Sequence, residues 1–145
     1  MIDTYLDPMS QLEVEYPNVT FVYMTGHADG SGLDSNLQIR YQQIREYCIA
    51  NNEVLYDNYD IECYNPDGVY FGDHCVEDDC DYFYTTTEGN KGALAGNWAV
   101  EWQDSHVQDV DWYSCSSTHS KPLNANLKGY AAWWLWARIA GWDGI

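Results

Sequence analysis

The sequence predicts an α/β domain of three layers, in which a parallel sheet lies between helices. Helix-like and strand-like segments alternate through the first 60 residues, an order that produces parallel strands joined by right-handed crossovers. The first strand-like segment, residues 19–25 (VTFVYMT), is apolar on both faces, as interior parallel strands are. With 145 residues and neither repeats nor a linker, the chain is predicted to be one domain, residues 1–145.

The opening elements are assigned from hydrophobic spacing and turn residues. Pro8 disturbs the first helix, and the Pro17-Asn18 pair turns the chain into its first strand. In order, the predicted elements are a helix over residues 1–15, a strand over 19–25, a glycine-rich loop over 26–32, a helix over 35–51 and a strand over 53–57.

Residues 63–118 break this alternation and are predicted to form a long irregular insertion, rich in cysteine and acidic residues, with one short helix near residues 98–102. A segment of this length in a compact domain is usually functional, cross-linked or metal-bound. The last helix, residues 122–140, ends at Gly141. Its apolar side chains lie nearly all round, which predicts burial on more than one side.

The charge of the chain limits its partners. Six basic residues stand against 23 acidic ones, a formal net charge of -17. Such a field repels phosphate backbones and anionic lipids, so neither nucleic acid nor a membrane is an expected partner. Aromatic residues make up 16% of the chain, which suits either a packed core or sugar-stacking surfaces.

Composition also suggests a secreted protein, because lysine is scarce and cysteine, tyrosine and tryptophan are frequent. The five cysteines leave at least one thiol unpaired within the chain. Cys75 and Cys80 bracket a short acidic loop and are the candidate local disulfide; Cys63 and Cys115 are a second candidate pair, and the sequence leaves the connectivity open. Residues 1–8 lack the features of a signal peptide, so a secreted form would have a different natural start or a removed leader. The N-terminal side is therefore expected to be truncated.

His119 is the best catalytic candidate, since it lies in a polar loop just before the last helix. A histidine base needs a nucleophile within hydrogen-bond reach and a group that orients its ring. Ser116 is the nearest side chain that could orient it, although a serine cannot stabilise an imidazolium as a carboxylate would. No Gly-x-Ser-x-Gly motif is present, and Ser31 lacks the strand-to-helix turn of a nucleophile elbow. The alternative role of His119 is to cap the last helix or to bind local backbone.

Four further polar residues follow the two predicted strands. His27 and Asp29 lie in the loop after the first strand, and Asp57 and Asp60 follow the second. Ligands of open α/β sheets bind at this edge, so these residues and His119 are expected to converge as a substrate-binding rim. Two histidines with carboxylates also suit a divalent transition metal, which stays an alternative to a hydrogen-bonded polar rim.

The long insertion holds two more candidate ligand sites. Carboxylates are concentrated between Asp73 and Asp81, and calcium takes its oxygens from such loops, although the EF-hand order is absent and a charged surface loop is the alternative. Trp98 and Trp102, with Trp112, are candidates for a sugar-stacking platform; packing of the insertion onto the domain is the alternative.

Four stretches of the chain together resemble the C-terminal half of an SGNH/GDSL-type hydrolase, a flavodoxin-like three-layer fold. Residues 16–27 (YPNVTFVYMTGH) resemble its late parallel strand, and residues 36–57 the helix and strand that follow. Residues 116–119 (SSTH) are similar to its Asp-x-x-His block, and residues 123–141 to its closing helix. The family's serine, glycine and asparagine blocks are not found, and Ser116 stands where the family has aspartate.

The resemblance implies a secreted hydrolase of carbohydrate esters or other extracellular esters, active or degenerate, with His119 as base and no required cofactor. The alternative of a different class is a non-catalytic extracellular protein that binds a glycan or a metal, or that assembles as a homo-oligomer.

Overall fold

The computed structural model of the chain describes residues 1–144, in which 44% of residues are helical and 15% lie in strands. The elements, in chain order, are a π-helical turn Ile2–Leu6, α1 Asp7–Glu15, β1 Tyr23–Met24, α2 Asn36–Asn51, β2 Leu55–Tyr56, α3 Asn58–Cys63, a 3-10 turn Gly72–His74, β3 Asp81–Thr85, β4 Lys91–Asn97, α4 Trp98–Asp104 and α5 Pro122–Ile139.

Two small sheets form within residues 1–144. β1 pairs with β2 in parallel, with Tyr23 opposite Leu55 and Met24 opposite Tyr56, and β3 pairs with β4 antiparallel. The prediction of an α/β protein with a parallel strand pair is confirmed at this broad level. The three-layer arrangement is not seen, because the parallel sheet has two strands of two residues each.

A side chain closes the outer edge of β1, which leaves no place there for a third strand. The Met24 amide donates a hydrogen bond to the Tyr5 hydroxyl (2.8 Å), and that hydroxyl donates to the Met24 carbonyl (3.3 Å). A side chain from the N-terminal helical segment thus satisfies backbone groups that another strand would otherwise pair.

The helices begin where the sequence supplies caps. The Ser35 hydroxyl accepts from the Gln38 amide at the start of α2, and Asn52 ends that helix in the left-handed conformation. The predicted helix over residues 35–51 is confirmed. Pro8 lies in the first turn of α1, where its missing N–H costs no hydrogen bond, so the first helix continues through it.

The insertion is more regular than predicted. It contains the β3–β4 hairpin and α4, of which only the short helix was expected. The sequence of β4, KGALAGN, has two glycines and two alanines, which have low strand propensity, so pairing with the aromatic β3 determines its conformation. Trp98, at the start of α4, is buried and stacks on Phe71 within the core.

The expected all-round burial of α5 is wrong. Leu123 and Asn124 at its beginning are buried, whereas residues 129–139 are half-buried or exposed. The deep burial of α5 is therefore confined to its beginning, and its second half borders a groove beside β2 and α3. No helix within residues 1–144 is both long enough and apolar enough to span a bilayer.

The cysteines are thiols in this structure. Cys75 and Cys80 do not form the expected disulfide, and Cys63 and Cys115 are also unpaired. Cys80 instead accepts a hydrogen bond from Asn124 Nδ2 at 3.1 Å, and burial raises the pKa of the Cys80 thiol to about 12. The buried thiols behave as small apolar groups of the core.

Candidate functional site

Two histidines that lie 92 positions apart in the sequence, His27 and His119, face one carboxylate. Asp78 Oδ2 lies 3.9 Å from His27 Nδ1 and 4.0 Å from His119 Nδ1. The side chains of His27 and His119 are 66% and 77% exposed, and that of Asp78 is 29% exposed. We call these three residues the His–Asp–His cluster.

Backbone pairing brings the loop after β1 to the segment that holds Asp78. Asp29 forms an antiparallel bridge with Glu77, and the Gly30 amide donates to the Val76 carbonyl at 3.0 Å. Gly30 has a φ of 77°, which glycine adopts without strain. The loop after β1 therefore presents His27 beside Asp78.

The third member reaches the cluster from the loop that precedes α5. His119 has a φ of 54°, in a backbone region that residues other than glycine seldom adopt. Two residues on, Lys121 Nζ lies 4.0 Å from Asp79 Oδ2. Charge pairing next to the cluster thus holds the start of α5 against the acidic segment.

The buried carboxylate of Glu62 holds the backbone next to His27 in place. Glu62 Oε2 accepts a hydrogen bond from the Ala28 amide at 2.5 Å, next to His27. Its Oε1 accepts from Lys128 Nζ at 2.5 Å and from Asn58 Nδ2 at 3.1 Å. Because a buried charge is tolerated only when paired and hydrogen-bonded, these contacts tie the loop after β1, α3 and α5 to one point.

The ring orientations are suited to proton transfer. His27 Nδ1 lies 3.0 Å from the Ala28 carbonyl, which can only accept, so Nδ1 carries a hydrogen and Nε2 is free to take a proton. His119 likewise turns Nδ1 to Asp78. A carboxylate at Nδ1 with Nε2 directed elsewhere is the arrangement of a histidine base and its orienting group.

Ser116 does not orient His119 in this structure. It is exposed, and no hydrogen bond joins it to the His119 ring. Asp78 is the group that faces the ring instead. Across residues 1–144 no serine, threonine or cysteine is hydrogen-bonded to either imidazole of the cluster, and Ser31 turns to Asp29, whose Oδ1 accepts from the Ser31 amide at 2.9 Å.

Asp57 and Asp60 form a separate group. Asp57 accepts two hydrogen bonds from Arg45, at 2.5 and 3.0 Å, and one from Thr25 Oγ1 at 2.7 Å. Asp60 lies 4.0 Å from Arg45, and burial, followed by the charge of Asp57, raises the pKa of Asp60. These contacts hold α2 to the carboxyl ends of β1 and β2 and include neither histidine.

The two tryptophans predicted for substrate binding belong to the interior. Trp98 is 1% exposed and its Nε1 donates to the Glu62 carbonyl at 3.1 Å. Trp102 is also buried, donates to Asp67 Oδ2 at 2.9 Å and stacks on His106. They pack the insertion onto the domain and offer no open ring face to a sugar.

The acidic segment disperses its carboxylates among different partners. Glu77 pairs with Lys91, Asp79 lies near Lys121, and Asp81 accepts from Asn97 Nδ2 at 2.7 Å. In the described part of the chain, no group of three histidine, cysteine, aspartate or glutamate side chains has the spacing of a metal site.

Sequence reasoning missed Asp78, Glu62 and Lys128. Asp78 is one of several acids in a run, and nothing in the pattern distinguishes it from its neighbours. Glu62 lies within α3, where polar and apolar residues alternate and no local pattern marks it as buried. Its place soon after the second strand is the one signal that could have put it near the loop of His27. Comparisons with protein-family models, curated proteins and solved structures found no match for this chain.

Proposed function

We propose that the chain is a secreted hydrolase of carbohydrate esters or other extracellular esters, with His119 as its general base and Asp78 as the residue that orients His119. The contact that supports this proposal is the 4.0 Å approach of Asp78 Oδ2 to His119 Nδ1 beside a largely exposed ring. Contacts of this kind are often long in the absence of substrate and shorten when substrate binds.

Water is the nucleophile in this proposal. His119 Nε2 takes a proton from a water molecule while the water oxygen attacks the ester carbonyl carbon. The ester C–O bond then breaks, and the protonated ring returns the proton to the departing alkoxide. Asp78 stabilises the imidazolium between these two steps. The resemblance to SGNH-type hydrolases supports the reaction class, with the serine of that family replaced by water.

His27 adds a second imidazole to the same carboxylate. While His119 acts as base, a ring N–H of His27 can donate a hydrogen bond to the oxyanion that forms on the substrate.

The first test compares His119→Gln and Asp78→Asn with His74→Gln, using nitrophenyl acetate and an acetylated oligosaccharide. His74 is an exposed histidine outside the cluster, so its variant measures the background reactivity of surface imidazoles. We expect kcat/KM to fall by about 100-fold or more in the two cluster variants and to stay unchanged in His74→Gln.

Equal rates in the His119 and His74 variants would contradict the hydrolase. A binding function is then the second candidate, because the Nδ1 atoms of both histidines face the same oxygen of Asp78. Rotation of two exposed rings would turn this donor set into a site for a divalent transition metal. Zinc binding that depends on His119, without hydrolysis, would support a non-catalytic binding protein.

A further inference from the structure

The second half of α5 carries a row of large apolar side chains in solvent. Tyr130, Trp133, Trp136 and Ile139 recur at every third position, and neighbours at this spacing form one ridge on a helix surface. Their exposed fractions are 54%, 72%, 65% and 42%. We call these four residues the tryptophan ridge.

The ridge is large enough to form a weak interface. With about 150–250 Å² for each large side chain, its exposed fractions amount to roughly 350–580 Å² per chain, which lies in the range of the largest apolar patch of a typical monomer. Tyr130 and Ile139 lie about 180° apart around the helix axis, so a contact between two copies is centred on Trp133 and Trp136 and buries only part of this area. We expect about 600–700 Å² for the pair of copies, the size of a weak and transient contact.

The charge distribution favours an identical partner at this place. The chain has 23 acidic residues and a net charge of -17, yet none of the acids lies between Trp112 and Trp142. This stretch instead holds three of the six basic residues, Lys121, Lys128 and Arg138. Two copies that meet through α5 therefore bring no carboxylate of that helix against another.

We propose that the tryptophan ridge is the interface of a homodimer, in which the second halves of two α5 helices pack across a two-fold axis. Such an interface is self-complementary, since the same residues contribute from both copies. It does not depend on the proposed hydrolase, because His119 precedes the opposite end of α5.

The test measures molar mass by light scattering from micromolar to millimolar concentrations. We expect a concentration-dependent rise from 16.7 kDa to twice this mass, at lower concentrations when salt is added, because salt screens the repulsion. Trp133→Ser with Trp136→Ser should weaken dimerisation at least tenfold. Tyr84→Ser removes an aromatic side chain of comparable exposure on β3 and should leave dimerisation unchanged.

A monomer at every concentration would overturn the homodimer, and so would a dimer that survives the double substitution. The molar mass of the unsubstituted protein shows whether a dimer forms at all, so this part of the test does not depend on how well the variants fold. If the monomer's tryptophan fluorescence is quenched by soluble oligosaccharides only while Trp133 and Trp136 are present, the ridge binds a glycan and the homodimer is rejected.

Discussion

At the scale of single residues, Asp78 determines what the candidate site can do. His27 was expected at the carboxyl end of a parallel strand, and His119, in the loop before the last helix, was expected to converge on the same edge. The residue between them could not be predicted, since it follows an irregular segment and lies among four other acids from Asp73 to Asp81. The site is therefore set by backbone pairing of two loops, which no local sequence pattern encodes.

The thiols give the residue-scale prediction. Cys48, Cys63, Cys75 and Cys80 are buried, and Cys115 is exposed. Burial raises the pKa of Cys48 to about 11 and that of Cys80 to about 12, so these groups are neutral and shielded at neutral pH. We expect a thiol reagent to label Cys115 rapidly in the native protein and all five cysteines in denaturant, measured by mass spectrometry.

Cys115→Ser is the control for this labelling and should abolish the rapid phase alone. Fewer than five labelled cysteines in denaturant without reductant would reveal a disulfide and contradict the structure. Rapid labelling of a second cysteine in the native protein would show that one of the four core positions is open.

At the scale of elements, the Glu62–Lys128 pair joins α3 to α5. The Glu62 side chain is 1% exposed, so the pair lies largely out of water. Lys128 lies just before the half of α5 in which exposed residues begin. The helix itself was predicted correctly from its spacing, whereas its one-sided burial was not, because an apolar residue count cannot tell which part of a helix finds a neighbour.

Glu62→Gln tests this connection. The substitution leaves Lys128 without its charge partner and weakens the acceptor for the Ala28 amide, and loss of one member of a buried pair costs about 3–5 kcal/mol. Glu77→Gln removes the carboxylate of the more exposed pair with Lys91, and is expected to cost about 1 kcal/mol or less. Urea unfolding of both variants measures the difference.

Equal losses of unfolding free energy in Glu62→Gln and Glu77→Gln would contradict the buried pair. The double variant Glu62→Gln with Lys128→Met removes both charges, and we expect it to recover part of the stability lost in Glu62→Gln. Because the Met side chain keeps most of the length of Lys, such recovery would separate the uncompensated charge from lost packing.

At the scale of the whole molecule, the order of helices and strands predicted the broad fold class and not the size of the sheet. The alternation of helix and strand correctly indicated an α/β chain, and the short parallel pair follows from it. A three-layer fold requires a larger parallel sheet than the described residues contain. The hairpin of β3 and β4 was not predicted, because the glycines and alanines of β4 have low strand propensity. The aromatic content left a packed core and sugar-stacking surfaces as alternatives, and the structure places Tyr23, Tyr59 and Trp98 among the most buried side chains of the core.

The same interior predicts how the whole protein responds to alkali. Burial raises the pKa of Tyr70 to about 12 and raises those of Tyr23, Tyr59 and Cys63 further. A group whose pKa is higher in the folded than in the unfolded state binds its proton more tightly when folded. Its stabilising contribution is complete below the unfolded pKa and is lost as the pH rises toward the folded pKa.

The thiols begin this loss near their ordinary pKa of 9.0 and the tyrosines near 10.0. Cys80 alone is expected to lose on the order of 2 kcal/mol about two pH units above its ordinary value. The net charge of -17 grows more negative over the same range, and its self-repulsion adds to the effect. We expect the free energy of unfolding to be constant around neutral pH and to fall steeply above about pH 9. Urea titrations at a series of pH values in high salt, which screens the repulsion, separate the two causes. A fall that salt abolishes would contradict the contribution of the buried thiols and phenols.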